Sequence, residues 1–379
     1  MDLDNFEPVA RIVVIGIGGA GNNAVNRMMD ENIENVEFYV LNTDKQALAT
    51  SKAPNRIVIG EEVTSGLGAG GNPEVGQKAA EASKEEIRNI VRGANMVFIA
   101  AGMGGGTGTG ASPIVAQIAR EEGALTIAIV TRPFNFEGKA RIANSVAGLN
   151  NLKDAVDSII IVSNDKLLVN SGHLPIAESF AESDKVLAQS VRTVTDLILF
   201  PAVINLDFAD VKSTLKGAGI ALIGFGTGEG PDKAREAAEN AIASPLLEAS
   251  ISGARRAICS VTCGSTVSLY EAEECVNRII EQAGNNIDVK FGVSLNANLG
   301  DRLLVSVIAS DFTKEFDFTY VPTFDTHPKT SPGGFDRDSL LSPSDEDHHL
   351  SPHEEEESDL GENVLPDFLS KDIFDDGEE

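Results

Sequence analysis

The sequence predicts an α/β protein with a parallel sheet, a long central helix, a smaller α+β domain and a disordered acidic tail. Three observations lead to this prediction. Short apolar segments alternate with helical patterns over residues 10–170, which is typical of strand–helix–strand units. A helical stretch without glycine follows, and a second alternating pattern comes after it. From about residue 317 the chain is acidic and loses the pattern.

Buried strands are expected first, with helices between them. The predicted strands are Arg11–Ile15, Val36–Leu41, Asn95–Ala100, Leu125–Val130 and Ser158–Val162. Gln77–Arg92 and Pro113–Glu122 have helical spacing. Right-handed connections between such strands give a parallel sheet with helices on both faces. Ligands of these sheets bind at the carboxyl ends of the strands.

The long helix is predicted over Pro175–Leu199 and ends at Phe200-Pro201. The second pattern predicts strands and helices at Ala218–Phe225, Pro231–Ala243, Arg256–Thr262, Tyr270–Gln282, Ile287–Val293 and Arg302–Ala309. We therefore predict a first domain over residues 1–174, a helix and loop over 175–217, and an α+β domain over 218–316.

The net charge of −28 excludes a bulk electrostatic attraction to nucleic acid or anionic lipid. No apolar run is long enough to span a membrane, and the acidic N-terminus does not resemble a signal peptide. Three cysteines are too few for a disulfide framework, and four of the five histidines lie in the tail, so no zinc cluster is expected. These features predict a cytoplasmic protein without a membrane insertion.

The tail carries 19 acidic and 3 basic residues after position 316. Its Pro, Ser and acidic composition predicts a disordered linker over residues 317–363. Val364–Lys371 then holds four apolar residues within six positions. Such a cluster predicts that residues 364–379 include a peptide that binds a partner, with a chance cluster as the alternative.

The first glycine loop, Gly16–Asn23, follows the first predicted strand. It matches the pattern G-x-G-x-x-G, and Asp44 lies near the position of a ribose-binding acid. Alone, this loop indicates a dinucleotide-dependent oxidoreductase or another nucleotide-binding protein.

The second glycine loop, Gly102–Gly110, has six glycines in nine residues, and we expect a helix to begin near Ala111–Pro113. So many glycines before a helix N-terminus indicate a cradle of N–H groups around a polyphosphate. Without a Walker lysine, the backbone, the helix dipole and Mg²⁺ must balance the phosphate charge. The third glycine loop, Gly66–Pro73, also precedes a helix. Three loops favour a nucleoside triphosphate.

The chain resembles the tubulin/FtsZ superfamily from about residue 10 to 316. The matching segments are G-G-G-T-G-T-G at Gly104–Gly110, Asn42–Asp44, Gly66–Pro73, Pro133–Gly138, Asn164–Leu168 and Asn205–Asp210. The resemblance implies a Rossmann-like GTPase domain that binds GTP/GDP and Mg²⁺. It implies head-to-tail filaments of a mid-cell division ring. The tail peptide, residues 364–371, would bind FtsA-like membrane tethers, although Ser370-Lys371 stands where the family usually has a basic residue directly after the leucine.

The resemblance also assigns the nucleotide-binding residues. Together with the third loop, it predicts phosphate contacts from Gly19, Ala20, Gly21, Asn22, Asn23, Gly70, Gly71, Gly106, Thr107 and Gly108. Glu137 and Arg141 would hold the ribose and phosphates, while their spacing also suits an ion pair on one helix face. Asn164 and Asp184 would bind the guanine. Phe180 would cover the base, although core packing is the more ordinary role of such a residue.

Asn205, Asp207 and Asp210 are the predicted catalytic set. Acidic residues in a short loop usually cap a helix or face solvent. In the family this loop enters the nucleotide site of the next subunit and positions the attacking water. Three hypotheses follow: a filament-forming GTPase, which we favour, a dinucleotide-dependent oxidoreductase, and a filament module that keeps GTP without hydrolysing it.

Overall fold

The computed structural model describes residues 10–171, 175–199, 202–244, 247, 249–284 and 286–313. The predicted linker, residues 317–363, and the predicted partner-binding peptide, residues 364–379, lie outside the described residues.

The described strands are β1 Ile12–Ile17, β2 Glu37–Asn42, β3 Asn55–Val58, β4 Met96–Gly102, β5 Leu125–Arg132, β6 Ser158–Ser163, β7 Gly219–Gly228, β8 Ala254–Cys263, β9 Asp288–Leu295 and β10 Leu303–Phe312. They form one hydrogen-bonded sheet in the order β3-β2-β1-β4-β5-β6-β7-β10-β8-β9. The strands from β3 to β7 pair in parallel, and β10 is antiparallel to both β7 and β8. The predicted α/β class is therefore confirmed.

The described helices are α1 Gly18–Asp30, α2 Lys45–Ala49, α3 Glu61–Thr64, α4 Pro73–Ala82, α5 Lys84–Val91, α6 Thr107–Glu121, α7 Lys139–Ala155, α8 Asn164–Ser171, α9 Ile176–Leu199, α10 Phe208–Leu215, α11 Lys233–Ile242 and α12 Leu269–Ala283. Single 3-10 turns lie at Asn135–Glu137 and Ala297–Leu299. Within the ranges given above, no helix is both long and apolar enough to cross a lipid bilayer.

The burial of the central strands explains why their apolar sequences predicted them correctly. All six residues of β1 and of β6 are buried, as expected where helices cover both faces of a parallel sheet. β7 pairs with β6 through Gly219–Ala221. The predicted first domain and the predicted α+β domain therefore share one sheet, and the boundary between them stays a prediction.

Two elements differ from the sequence prediction. The single helix expected over Gln77–Arg92 is two helices, α4 and α5, with a break at Ser83. The Ser83 hydroxyl accepts a hydrogen bond from the Gly60 N–H at 2.9 Å, and this contact holds the break against a neighbouring turn. Strand β3 was not predicted, because it is a four-residue edge strand with no buried residue.

Candidate nucleotide site

The three glycine loops meet at the carboxyl edge of the parallel strands. A Cβ atom added to Gly18 would lie 2.8 Å from the backbone nitrogen of Gly108. A Cβ atom on Gly106 would lie 2.8 Å from the Ala69 methyl and 2.9 Å from the backbone nitrogen of Asn72. The loops are therefore in direct contact and form one cradle.

The glycines of the cradle fall into two groups. Gly21, Gly108 and Gly110 are required by packing, because an added Cβ would lie 2.2, 2.6 and 1.9 Å from a backbone carbonyl oxygen. Gly19 and Gly105 have nothing within 4 Å and no left-handed φ. Neither packing nor conformation explains glycine at these two positions, so the space beside them is open to a ligand.

The rim of the cradle holds the other predicted phosphate contacts. Gly70 and Gly71 also face open space, and their φ of 58° and 74° favours glycine in any case. Asn23 is exposed and Ala20 is half-buried. Phosphate contacts from these residues stay predictions, and their positions are consistent with them.

Helix α6 begins at Thr107, so the prediction of a start near Ala111–Pro113 was wrong. Gly108 and Gly110 are both helical residues: the missing side chain of Gly110 lets α4 approach α6 closely, and that of Gly108 makes room for the carbonyls of Gly102 and Ile17. Pro113 lies inside the helix and has no N–H for the carbonyl four residues earlier. The helix N-terminus, with its unpaired N–H groups, therefore lies within the glycine loop.

Hydroxyl and amide groups brace the cradle. The Thr107 Oγ1 lies 2.7 Å from the Thr43 Oγ1, and the Thr109 Oγ1 accepts from the Gly104 N–H at 2.8 Å. The Asn144 Nδ2 donates to the carbonyls of Gly71 and Gly104 at 3.2 and 3.4 Å. Sequence reasoning did not assign roles to Thr43 and Asn144. Thr43 lies in the matched Asn42–Asp44 segment, while Asn144 carried no signal.

Asn22 shapes the first glycine loop. With its amide nitrogen turned toward the loop, it donates to the carbonyls of Gly18 and Gly16 at 2.8 and 3.3 Å. Its oxygen then accepts from the Asn42 Nδ2 at 3.3 Å. The side chain is 3% exposed. This network holds the backbone around Asn22, while a direct phosphate contact from its side chain stays a prediction.

Asp44, the acid on which the oxidoreductase hypothesis depends, has a local structural role. Its carboxylate caps helix α2 and accepts from the N–H groups of Gln46 and Ala47 at 2.8 and 3.3 Å. An N-cap of this kind satisfies amides that otherwise have no partner. Both bonds use the Oδ1 atom, so this helix cap accounts for Asp44 without any ribose contact.

The residues predicted to bind the base lie near the starts of α8 and α9, a region that we call the base end. The Asn164 Oδ1 accepts from the Ser183 hydroxyl at 2.8 Å, which leaves the amide nitrogen to donate, as guanine O6 requires. Phe180 is 40% exposed and packs edge-on against Phe134 at 5.0 Å. Phe180 is therefore not a core residue, and its exposed surface can cover a base. Sequence reasoning missed Ser183.

Asp184 lies on α9, next to Ser183. Burial raises the pKa of this carboxyl from 3.8 to about 7, and the positive charge of Arg27 on α1 partly opposes the shift. Two N–H donors on a ligand would favour the charged form of this half-buried carboxylate. The N1–H and N2–H₂ groups of guanine are such donors, and adenine lacks them.

Glu137 and Arg141 form an ion pair of 2.5 Å, but they do not lie on one helix. Glu137 ends a 3-10 turn, and Gly138 with φ 101° separates it from α7. The Glu137 carboxylate also accepts from the Phe134 N–H at 2.9 Å. The carbonyl oxygen of Arg141 would lie 2.9 Å from a Cβ on Gly104, so the pair stands beside the second glycine loop.

The predicted catalytic acids lie elsewhere. Asp207 caps α10, accepting from the Asp210 N–H at 2.8 Å, and the Asp210 carboxylate accepts in return from the Asp207 N–H at 3.5 Å. The Asn205 Oδ1 accepts from the Ala202 N–H. The ordinary role, a helix cap, is thus present. The capping box uses one oxygen of each carboxylate.

Helix α9 separates these acids from the base end. It has 24 residues, a length of about 36 Å at 1.5 Å per residue. Phe180 and Asp184 lie in its first half, whereas Asn205 follows its last residue, Leu199. The structure therefore does not bring the acids to the glycine loops of the same chain.

Comparisons with known proteins agree with this geometry. A family model for the tubulin/FtsZ GTPase domain matches residues 11–172, and one for the FtsZ C-terminal domain matches residues 219–313. The cell division protein FtsZ of Mycoplasmopsis pulmonis (strain UAB CTIP) is 52% identical over 317 residues, 84% of this chain and 81% of that protein.

Solved structures give the same result. An empty FtsZ dimer from M. jannaschii is 40% identical with a TM-score of 0.77, and the match covers 82% of this chain and 90% of that one. GDP-bound monomeric CetZ1 from Haloferax volcanii is 21% identical with a TM-score of 0.70, covering 80% and 94% of the two chains; this likeness concerns the fold. The oxidoreductase hypothesis finds no support here, and the predicted resemblance is confirmed: the chain belongs to the FtsZ branch of the tubulin/FtsZ family of GTPases.

Proposed function

We propose that this GTPase forms head-to-tail filaments and hydrolyses GTP at the contact between two copies. One observation carries the proposal. The guanine-binding candidates and the acids Asp207 and Asp210 lie toward opposite ends of α9. Acids so far from their own cradle can act on GTP only in another copy. A contact between two different surfaces that does not close into a ring generates a filament.

The chemistry assigned to the shared site is mainly positioning. GTP hydrolysis needs a water molecule in line with the γ-phosphate and charge stabilisation around it. The cradle offers backbone N–H groups to the phosphates. Asp207 and Asp210 of the next copy would polarise and orient the water, using the carboxylate oxygens that the capping box leaves over, and Asn205 would help to position it.

Exposed apolar side chains support contacts at both ends. Leu67 in the third loop and Phe136 beside Glu137 are 84% and 68% exposed. Near the acids, Val203 and Leu295 are 65% and 63% exposed. Exposed apolar side chains at both ends of a subunit are what a head-to-tail contact would bury. The M. jannaschii relative has been solved as a dimer.

Mg²⁺ is part of the proposal as a companion of the nucleotide. In the part of the chain that the structure describes, no group of three His, Cys, Asp or Glu side chains is placed to hold a metal. Mg²⁺ commonly binds phosphate oxygens and keeps several waters. We therefore expect GTP itself and water to supply most of the ligands of Mg²⁺. The ion would neutralise phosphate charge, which no Walker lysine balances in this chain.

A role in cell division follows from the M. pulmonis relative, which is named a cell division protein. The filaments would assemble at mid-cell, on the cytoplasmic side of the membrane. Residues 317–363 would act as a tether of roughly 35–40 Å by flexible-chain scaling. Residues 364–371 would bind FtsA-like membrane-tethering proteins through their apolar side chains.

Mixing two defective variants tests the shared site. Asp210→Asn keeps the cradle but loses an acid, whereas Gly105→Ser keeps the acids and places a side chain in the open space of the cradle. Gly105 is preferable to Gly106 because a Cβ at Gly106 would collide with the third loop. Each variant alone should be nearly inactive, and the mixture should recover turnover because it can form one complete site. The readout is phosphate release at concentrations where sedimentation shows co-assembly. Turnover equal to the sum of the two separate variants, despite co-assembly, would refute a shared site.

Removing the tail tests the tether. A chain that ends at Phe316 should keep GTP-driven assembly, because the described core ends before that residue. It should lose binding to vesicles that carry an FtsA-like tether. Phe368→Ala should reproduce much of that loss by removing an apolar anchor, with Phe335→Ala in the predicted linker as the matched control. Normal vesicle binding by the truncated chain would show that residues 364–371 are not the docking peptide.

A further inference from the structure

The helix that presents the acids is fixed at its far end. The last four carbonyls of an α-helix have no partner within the helix. In α10 all four accept hydrogen bonds: Lys212 O from Lys216 N at 2.9 Å, Ser213 O from Arg256 Nη1 at 2.5 Å, Thr214 O from Ser310 Oγ at 3.0 Å, and Leu215 O from Ser158 Oγ at 2.6 Å.

Three of these donors are side chains from three different strands. Ser158 lies on β6, Arg256 on β8 and Ser310 on β10. Both serines are fully buried. The Arg256 Nε also contacts the Asp311 carboxylate at 3.1 Å, which fixes the direction of the guanidinium. Strands β8 and β10 belong to the predicted α+β domain, so that part of the chain holds the helix through Arg256 and Ser310.

The acids lie at the other end of the same short helix. Eight residues make α10 about 12 Å long, and the Asp207–Asp210 capping box joins the acids to its first turn. A change in the tilt of α10 at its anchored end therefore moves both carboxylates. Displacements of about 1 Å in a reacting group can cost roughly 100-fold in rate.

We propose that Arg256 and Ser310 are positioning residues, which set the direction of Asp207 and Asp210 through the carbonyls of Ser213 and Thr214. In this arrangement the C-terminal strands of one copy control hydrolysis of the GTP held by its neighbour. The inference rests on the proposed function, because the acids act in trans only if the site is shared.

The test places each change in one copy at a time. Arg256→Met or Ser310→Ala is made in the same chain as one of the two defective variants. A chain with Gly105→Ser can only donate the acids, and a chain with Asp210→Asn can only hold GTP. Each double variant is mixed with the other single variant: chains that carry Gly105→Ser are mixed with Asp210→Asn, and chains that carry Asp210→Asn are mixed with Gly105→Ser. Turnover should fall about tenfold or more when the change is in the donor of the acids. It should stay within about twofold when the change is in the copy that holds GTP.

Controls separate positioning from general damage. Arg255→Met changes the exposed neighbour on β8, and Ser306→Ala removes another buried serine of β10; neither should change turnover in either copy. Arg256→Lys keeps a cationic donor and should restore part of the loss. The two anchors are tested separately, so that failure of one variant to fold leaves the other decisive.

The outcomes are distinct. A loss confined to the donor supports the inference. Equal losses in both copies, or no loss in the donor, overturn it. If the reference mixture of Gly105→Ser and Asp210→Asn shows no recovery despite co-assembly, the shared site itself fails, and the inference falls with it.

Discussion

Replacing Asp210 with asparagine should lower GTP turnover about 100-fold or more while leaving GTP affinity within about twofold. Asparagine has nearly the same shape, and its side-chain oxygen can still accept from the Asp207 N–H, so the capping box of α10 is retained. What disappears is the negative charge that, in the proposed mechanism, polarises the attacking water. Removal of one group that stabilises a transition state commonly costs 100- to 1000-fold in rate.

The measurement is phosphate release at saturating GTP, together with the dissociation constant of GTP from direct binding. Asp232→Asn is the matched control, because Asp232 is another exposed acid at a helix N-terminus and makes no side-chain capping bond. The control should behave as the wild type. More than half of the wild-type turnover in the Asp210→Asn variant, with normal assembly, would remove Asp210 from the catalytic set.

Replacing Asp184 with asparagine should weaken GTP binding about 10- to 100-fold at pH 8. The charged acceptor for the guanine donors is worth about 1.5–3 kcal/mol, and each 1.4 kcal/mol is a tenfold change in affinity. ATP should bind poorly to the wild type at every pH, because adenine cannot supply both donors. Equal affinity of the wild type for ATP and GTP would contradict the guanine assignment.

The same substitution should remove a pH dependence. The pKa of Asp184 in the nucleotide-free protein is about 7, and the proposed contact with guanine requires the deprotonated carboxylate. Wild-type affinity should therefore rise as the pH rises to about 7 and then level off. The ratio of the GTP dissociation constants of the Asp184→Asn variant and the wild type should isolate the titration of Asp184, because titration of the GTP phosphates affects both proteins equally. A ratio that is constant from pH 5.5 to 8.5 would show that Asp184 does not bind the base.

The same titration affects the stability of the nucleotide-free protein in the opposite direction to GTP affinity. A carboxyl whose pKa is raised on folding binds its proton more tightly when folded, so its contribution to stability falls as the pH rises from about 4 through 7. Above pH 7 the nucleotide-free protein carries a half-buried charge at Asp184. The Asp184→Asn variant should then unfold at a higher temperature than the wild type at pH 8, and the difference should vanish near pH 4.

The sequence predicted well those parts of the molecule in which local pattern decides the structure. β1 and β6 consist mainly of isoleucine and valine, and α9 has no glycine and ends at Leu199 as predicted. The start of α6 was missed because glycine normally disfavours a helix, whereas here contact with α4 requires Gly110. Close packing between distant segments outweighed local propensity at that position.

Hydrogen bonds between residues far apart in the chain could not be predicted from the sequence. Ser183 supports Asn164 from 19 residues away, and Ser310 donates to Thr214 from 96 residues away. Single serines carry no pattern that indicates such contacts. Asp207 and Asp210 were predicted from the family resemblance, which also implies that they act in the next subunit, and their ordinary capping role was predicted alongside. The length of α9, which separates them from the residues predicted to bind the base in their own chain, is consistent with that implication.

The central claim is that hydrolysis requires two copies of the chain, and turnover per subunit as a function of protein concentration tests it most directly. GTP is kept saturating, and phosphate release is followed from well below to well above the concentration at which sedimentation detects assembly. A shared site predicts a rate per subunit near zero in dilute solution, a rise as copies meet, and a plateau once most are assembled. A rate per subunit that stays constant down to the most dilute sample would mean that each copy hydrolyses GTP alone, and the account would be wrong.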